Sequence, residues 1–265
     1  MSILGDALRA EWAKARTLAS TGWLLLAALT ATVSMTVAVS AAVAAAVTSP
    51  AGNCAEDPAR ISLTGIDLGQ AVVAILAVLM MSSEYSTGMI RVTLAAMPRR
   101  ITVLAAKAAI LTGLVLACGA LAVLASVLAG QVILRGHGID PAHGYPSLSL
   151  GSAPVLRAAA GSVLYLALIA WLGLGIATAV RDSATAIGVV LGLLYLFPIV
   201  GAVLGGSHLA RLIQQIGPMT AGLAIQATTG LDDLPIRPWA GLGVLAAWAA
   251  AALLAGGLLL RHRDA

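Results

Sequence analysis

Charge is scarce in this 265-residue chain: Asp, Glu, Lys and Arg together make up 10% of it, against 60% hydrophobic residues. A soluble domain carries about 25% charged and roughly 45–50% apolar residues, so an ordinary water-soluble enzyme is excluded. Intrinsic disorder needs the opposite balance and is excluded with it. Two cysteines make no disulfide scaffold, and the 28 glycines follow no three-residue period, which excludes a collagen-like chain. With a mean hydropathy of +0.99, what remains is a polytopic membrane protein. At ~20–25 residues per crossing plus short loops, the length holds about six helices and no sizeable soluble domain.

Several chemistries are missing as well. The only lysines, Lys14 and Lys107, each follow an alanine, so there is no G-x-x-x-x-G-K-[ST] phosphate loop and no ATP site of that kind. No H-E-x-x-H occurs, and His137, His143, His208 and His262 do not pair at metal-ligand spacing. His137 and His143 flank Asp140 in one Gly- and Pro-containing loop, which reads as solvated rather than as a metal site. Cys54 falls in a loop and Cys118 in mid-span, so they are not expected to pair. An intramembrane enzyme is disfavoured, since no nucleophile–base pair or acidic dyad lies in the apolar runs. The pI near 9.5 reflects basic residues in short loops between those runs, a pattern of membrane orientation rather than nucleic-acid binding.

The runs are Trp23–Val47, Gly65–Ser83, Ile101–Leu134, Ala158–Val180, Ser183–Gly205 and Trp239–Leu260. In lipid each must be helical, because an unpaired backbone group finds no partner there. The third, 34 residues, would extend ~51 Å at about 1.5 Å per residue, more than a bilayer core needs; Lys107 is expected to mark where it enters the membrane. Six crossings put both termini on one side, with ten Lys and Arg there against five on the other (Arg60, Arg135, Arg157, Arg211, Arg237). The positive-inside rule therefore places both termini in the cytoplasm. Four runs (the first and the last three) hold no Asp, Glu, Lys, Arg or His. Proton- or ion-coupled carriers usually keep such groups at mid-membrane, so an energised function would draw its energy from another chain.

Before the first span, Leu4, Leu8, Trp12, Ala15 and Ala19 recur at helical spacing, predicting an interfacial amphipathic helix over residues 1–20. The alternative, a cleaved signal peptide, fits poorly with a 25-residue apolar run. Thr32, Thr36 and Ser40 form a hydroxyl stripe that suits a substrate pathway, a helix contact, or bonding back to the helix's own carbonyls. In 206–238, His208–Ile216 and Met219–Thr229 are moderately apolar and separated by Gly217-Pro218. They fit two half-helices dipping into the outer leaflet, or an amphipathic surface loop.

The segment 84–100 carries the strongest signal. Ile90, Leu94 and Met97 make a short amphipathic helix that stops at Pro98. Glu84 marks the exit from lipid, Gly88 permits a tight backbone change, and Arg91, Arg99 and Arg100 project charge into the cytoplasm. An apolar ridge rimmed by charge at the membrane surface suits docking of a cytosolic partner.

From Glu84-Tyr85 through Gly88, Arg91, Leu94, Pro98 and Arg100, this run resembles the E-Y-x-x-G-[TS]-x-R-x-x-L-x-x-x-P-x-R pattern of ABC-2-type transporter permeases, with Met89 where a Thr or Ser is usual. The broken stretch around Gly217-Pro218 before the last span is loosely similar to the same family. The resemblance implies an all-α integral membrane permease, one domain over 1–265, with six transmembrane helices, the interfacial helix and a short cytoplasmic coupling helix. It implies pairing with a second permease copy or homologue and two copies of a separate ATP-binding-cassette ATPase, which holds the ATP and Mg; this chain itself would hold no cofactor. Glu84, Tyr85, Gly88, Ile90, Arg91, Leu94, Met97, Pro98, Arg99 and Arg100 would form the ATPase-coupling interface. The expected activity is outward movement of a hydrophobic or amphipathic substrate across a bacterial cytoplasmic membrane. The rival expectation is a non-transporting membrane anchor for a cytosolic partner.

Overall fold

The computed structural model describes residues 3–17, 19–46, 57–89, 100–139 and 141–262. Among these the regular structure is helical: α1 Ile3–Thr17, α2 Ala19–Ala46, α3 Pro58–Leu63, α4 Ile66–Ser86, α5 Arg100–Gly136, α6 Ala153–Val180, α7 Ser183–Val203, α8 His208–Ile216, α9 Pro218–Gly222 and α10 Pro238–His262. Two 3-10 turns, Pro141–His143 and Leu223–Gln226, complete it. Six helical stretches are long and apolar enough to cross a bilayer: α2, α3–α4 taken together, α5, α6, α7 and α10. The chain is thus a multi-pass membrane protein with the expected number of crossings.

Three spans begin four or more residues earlier than the apolar runs suggest, the first of them at Ala19 rather than Trp23. The second starts at Pro58 rather than Gly65, because Asp57 caps α3 by accepting hydrogen bonds from the Ala59 and Arg60 N–H groups and Pro58 fits a first helical position. The fourth starts at Ala153 rather than Ala158, carrying Arg157 inside it, where the guanidinium donates to the Ala227 carbonyl. At the opposite end of the fourth span, Asp182 caps α7. Hydrogen bonds from Thr185, side chain before backbone, hold its carboxyl below the usual carboxylate range.

The second and fourth spans form the centre, 56% and 61% buried along their apolar windows against 22–28% for the other four. Small residues bring the helices together. A Cβ on Gly65 would come within 1.9 Å of the Thr32 carbonyl oxygen, and one on Gly175 within 2.4 Å of the Ala252 carbonyl carbon. The glycines of α7 do otherwise: Gly188 and Gly192 face open space. The outer helices turn Trp23, Leu26, Leu121, Val132, Ile199 and Leu254 outward, as lipid-facing surfaces do.

The stretch between α7 and α10 is two helical pieces broken at Gly217. Ser207 caps α8 through the Ala210 N–H, and the break is held by Thr220 Oγ1 donating to the Gln214 carbonyl at 2.8 Å. The second piece runs only to Gln226 and is the more buried, with Gly222 seated on the Tyr165 ring and Ile225 filling the space beside Gly161.

Candidate functional site

Polar side chains concentrate at two places. The first lies at the end of the bundle that carries both chain termini, where α1, α4 and α5 meet. Lys107 Nζ of α5 is 2.6 Å from Glu11 Oε2 and 2.9 Å from Glu84 Oε1; Lys14 Nζ is 2.9 Å from Glu11 Oε1 and 2.8 Å from Glu84 Oε1. Both lysines of the chain and two of its three glutamates therefore form one neutral cluster. Lys107 is 2% exposed and Glu11 3%, so neither charge could persist there alone. Burial, the largest single influence on Lys14, pulls its pKa down, but hydrogen bonds to Glu84 and Glu11 and their charges outweigh it and leave the ammonium above its ordinary value.

The cluster sets the face that α1 turns to the bundle, which is Ala7, Glu11 and Ala15. Of the interfacial stripe Leu4, Leu8, Trp12, Ala15 and Ala19, Ala15 is shared with that face and Trp12 is exposed. Small alanines let α1 approach α5 closely, and Glu11 is drawn inward by two ammonium groups; the bulkier Trp12 side chain is left facing outward.

Within the expected coupling interface, Glu84 is buried in this cluster, so its carboxyl faces into the bundle. Tyr85 is half-buried, with the Arg181 guanidinium 5.5 Å from its ring centroid. Gly88 has a φ of +69°, a left-handed conformation suited to glycine just after the helix end at Ser86. Ile90, Arg91, Leu94, Met97, Pro98 and Arg99 lie outside the described residues, and of Arg100 only the backbone, which opens α5, is described. Lys107 was expected simply to mark the membrane boundary; its two carboxylate partners, Glu84 and Glu11, lie 23 and 96 positions away and leave no local trace in the sequence.

The hydroxyl stripe Thr32, Thr36 and Ser40 is buried in helix packing. Thr36 Oγ1 lies 3.1 Å from the Ser62 carbonyl and 3.2 Å from Ser126 Oγ, Thr32 Oγ1 donates to the Ala28 carbonyl at 2.7 Å, and Gly65 and Gly69 close over them. Of the roles open to it, helix contact and bonding back to the helix's own carbonyl are the ones its geometry fills. None of the three is among the residues lining the cleft described below.

The second concentration is at the far end: a cleft of about 1070 Å³ between the ends of α2, α3 and α7 and the broken segment. Asp57, Arg60 and Asp233 stand among its lining residues, with Thr64, Met219 and Thr220. Asp57 also ties the segment down, accepting from the Thr228 and Thr229 N–H groups and the Thr228 hydroxyl. Beside Met219 is a buried polar group that sequence reading passed over. The Tyr165 hydroxyl donates to Gln70 Oε1, Gln70 Nε2 lies 3.1 Å from Met219 Sδ, and the Tyr195 hydroxyl donates to the Asp67 carbonyl at 2.6 Å. Asp67 and Gln70, one turn apart in an otherwise apolar span, were the available signal.

No protein-family model matches this chain, and no curated protein matches it.

Proposed function

We infer that the chain is the membrane permease subunit of an ATP-binding-cassette exporter in a bacterial cytoplasmic membrane, with both termini in the cytoplasm. It pairs with a second permease copy or homologue and two copies of a separate ATPase, which bind the ATP and Mg. The load enters through segment 84–100, and the cargo, hydrophobic or amphipathic, leaves at the far end. The observation that carries this reading is the placement of Glu84 and Lys107. They flank the segment on α4 and α5 and are held 2.9 Å apart, with Glu11 of α1 bonded to Lys107. A push on the segment would then move α1, α4 and α5 as one body instead of bending its attachments. The sequence motif and the ten-to-five excess of basic residues on that side support the same reading.

The test is an Ile90→Asp/Leu94→Asp double substitution. It is expected to abolish co-purification of an ATPase bearing a Walker A motif and substrate-stimulated ATP hydrolysis, while membrane insertion and expression persist. If the unaltered chain brings down no nucleotide-hydrolysing partner, the exporter reading is wrong. If it brings down a cytosolic partner without such activity, the chain is an anchor.

A further inference from the structure

The cleft is lined by two opposite charges that do not pair. Its charged lining residues are Asp57, Arg60 and Asp233. Asp57 is saturated. Its Oδ1 accepts from the Ala59 and Arg60 N–H groups and the Thr228 hydroxyl, and its Oδ2 accepts from the Thr228 and Thr229 N–H groups. Five donors fill the roughly four lone-pair sites of a carboxylate, so Asp57 offers a ligand nothing. Arg60 and Asp233 are different. Both are exposed, and among the described residues neither side chain has an ion-pair or hydrogen-bond partner.

The saturated carboxylate also fixes where these two stand. Asp57 holds the Arg60 main chain on one side and Thr228 and Thr229 on the other. Asp233 belongs to the turn that follows, its N–H donating to the Gly230 carbonyl at 3.1 Å. A guanidinium and a carboxylate are thus brought to one cleft by two segments, 60 and 228–233, pinned at the same point. Arg60 is the third residue of its span, so both charges stand where the membrane gives way to water. Much of the remaining wall is apolar, including Val43, Ile61, Leu223 and Ile236. A purely cationic ligand would meet Arg60 there and a purely anionic one Asp233, so each is opposed by one of the two charges.

We propose that the cleft binds zwitterionic amphiphiles, with the acidic group on the Arg60 guanidinium, the ammonium on the Asp233 carboxylate and the apolar body along the wall. A guanidinium takes a carboxylate or a phosphate through two parallel hydrogen bonds, which suits the acidic end of such a ligand. The volume, about 1070 Å³, is of the size that holds drug-like molecules. The proposal rests on the exporter reading for its meaning as a cargo class and deepens it. Binding itself needs no ATPase, however, so the two can fail separately.

The experiment is fluorescence titration of the purified full chain in non-ionic detergent with three matched probes. Nε-dansyl-lysine is the zwitterion, dansylcadaverine is the same molecule without the carboxylate, and dansylated ε-aminocaproate is the same molecule without the ammonium. Protein-free micelles give the background for each. The unaltered protein is expected to bind the zwitterion tightest. Arg60→Gln should weaken zwitterion binding by about fivefold or more, between the worth of an exposed ion pair and of a charge-assisted hydrogen bond, without weakening dansylcadaverine. Asp233→Asn should weaken the zwitterion similarly without weakening the aminocaproate probe. Retained selectivity for one probe in each variant shows that the cleft is still folded. Displacement of bound dansyl-lysine by added phosphatidylethanolamine would identify the occupant as a lipid, and its absence a smaller amphiphile of the same charge pattern. Zwitterion binding no tighter than that of both single-charge probes overturns the proposal, as does a variant that lowers all three alike or none.

Discussion

Lys107 shows how a single residue sets the local architecture. Its ammonium has two carboxylate partners and almost no contact with solvent. Lys107→Ala would leave Glu11 and Glu84 sharing Lys14 alone. Removing one member of a buried pair typically costs about 3–5 kcal/mol, because the remaining charge is stranded. We expect a loss of that order in equilibrium unfolding of the purified protein, partly recovered in Lys107→Ala/Glu84→Gln, where one stranded carboxylate is removed as well. A double variant no more stable than the single would show that the contacts contribute nothing jointly. Lys14 gives the cluster a pH dependence. Since its folded pKa is raised above 10.5, its contribution is fully present below that value and is lost as pH climbs through the raised one. Unfolding midpoints should therefore fall at strongly alkaline pH in the unaltered protein, and fall less in Lys14→Met.

At the scale of helices, close packing depends on which glycines meet a neighbour's backbone. Gly175 of α6 sits against Ala252 and Leu253 of α10, and a Cβ there would lie 2.5 Å from the Leu253 nitrogen. Backbone cannot yield as a side-chain tip can. Gly175→Ala should force α6 and α10 apart at a cost of about 1–3 kcal/mol. Gly192→Ala in α7 meets nothing and should be neutral or slightly stabilising through helix propensity. Thermal denaturation of the two variants checks the contrast; similar midpoints would remove the packing argument. Gly188 and Gly192 do form a four-residue pair within one span, but in a chain with 28 glycines such pairs arise by chance. Spacing reports which side chains share a face, but not whether another helix is there to meet it. The same limit explains what was legible elsewhere. Six apolar helices were readable because each apolar run is long, whereas the early starts at Pro58 and Ala153 were hidden by the charges of Arg60 and Arg157, the latter bonded to a carbonyl 70 positions away. The inward turn of Glu11 on α1 was not legible, because the two lysines that draw it in lie on the same short helix and on α5.

The whole molecule is a bundle with its charge cluster at one end and its cleft at the other, so its direction across the membrane decides what each end can do. Ten of the fifteen basic residues lie on the side of the termini. Cytoplasmic termini would put segment 84–100 within reach of a soluble ATPase and open the cleft to the outside; the reverse orientation would leave the segment without ATP and the cleft facing inward. Met89 and Gly206 are exposed at the two ends, which makes them reporters of direction. With Cys54→Ser and Cys118→Ala removing the native thiols, Gly206→Cys should react with a membrane-impermeant maleimide applied to intact spheroplasts. Met89→Cys should react only after the membrane is opened. The opposite pattern would reverse the molecule and detach the charge cluster from any cytosolic motor. Labelling of both positions from outside would contradict the bundle itself, because three crossings, α5, α6 and α7, lie between Met89 and Gly206, and an odd number must leave them on opposite faces.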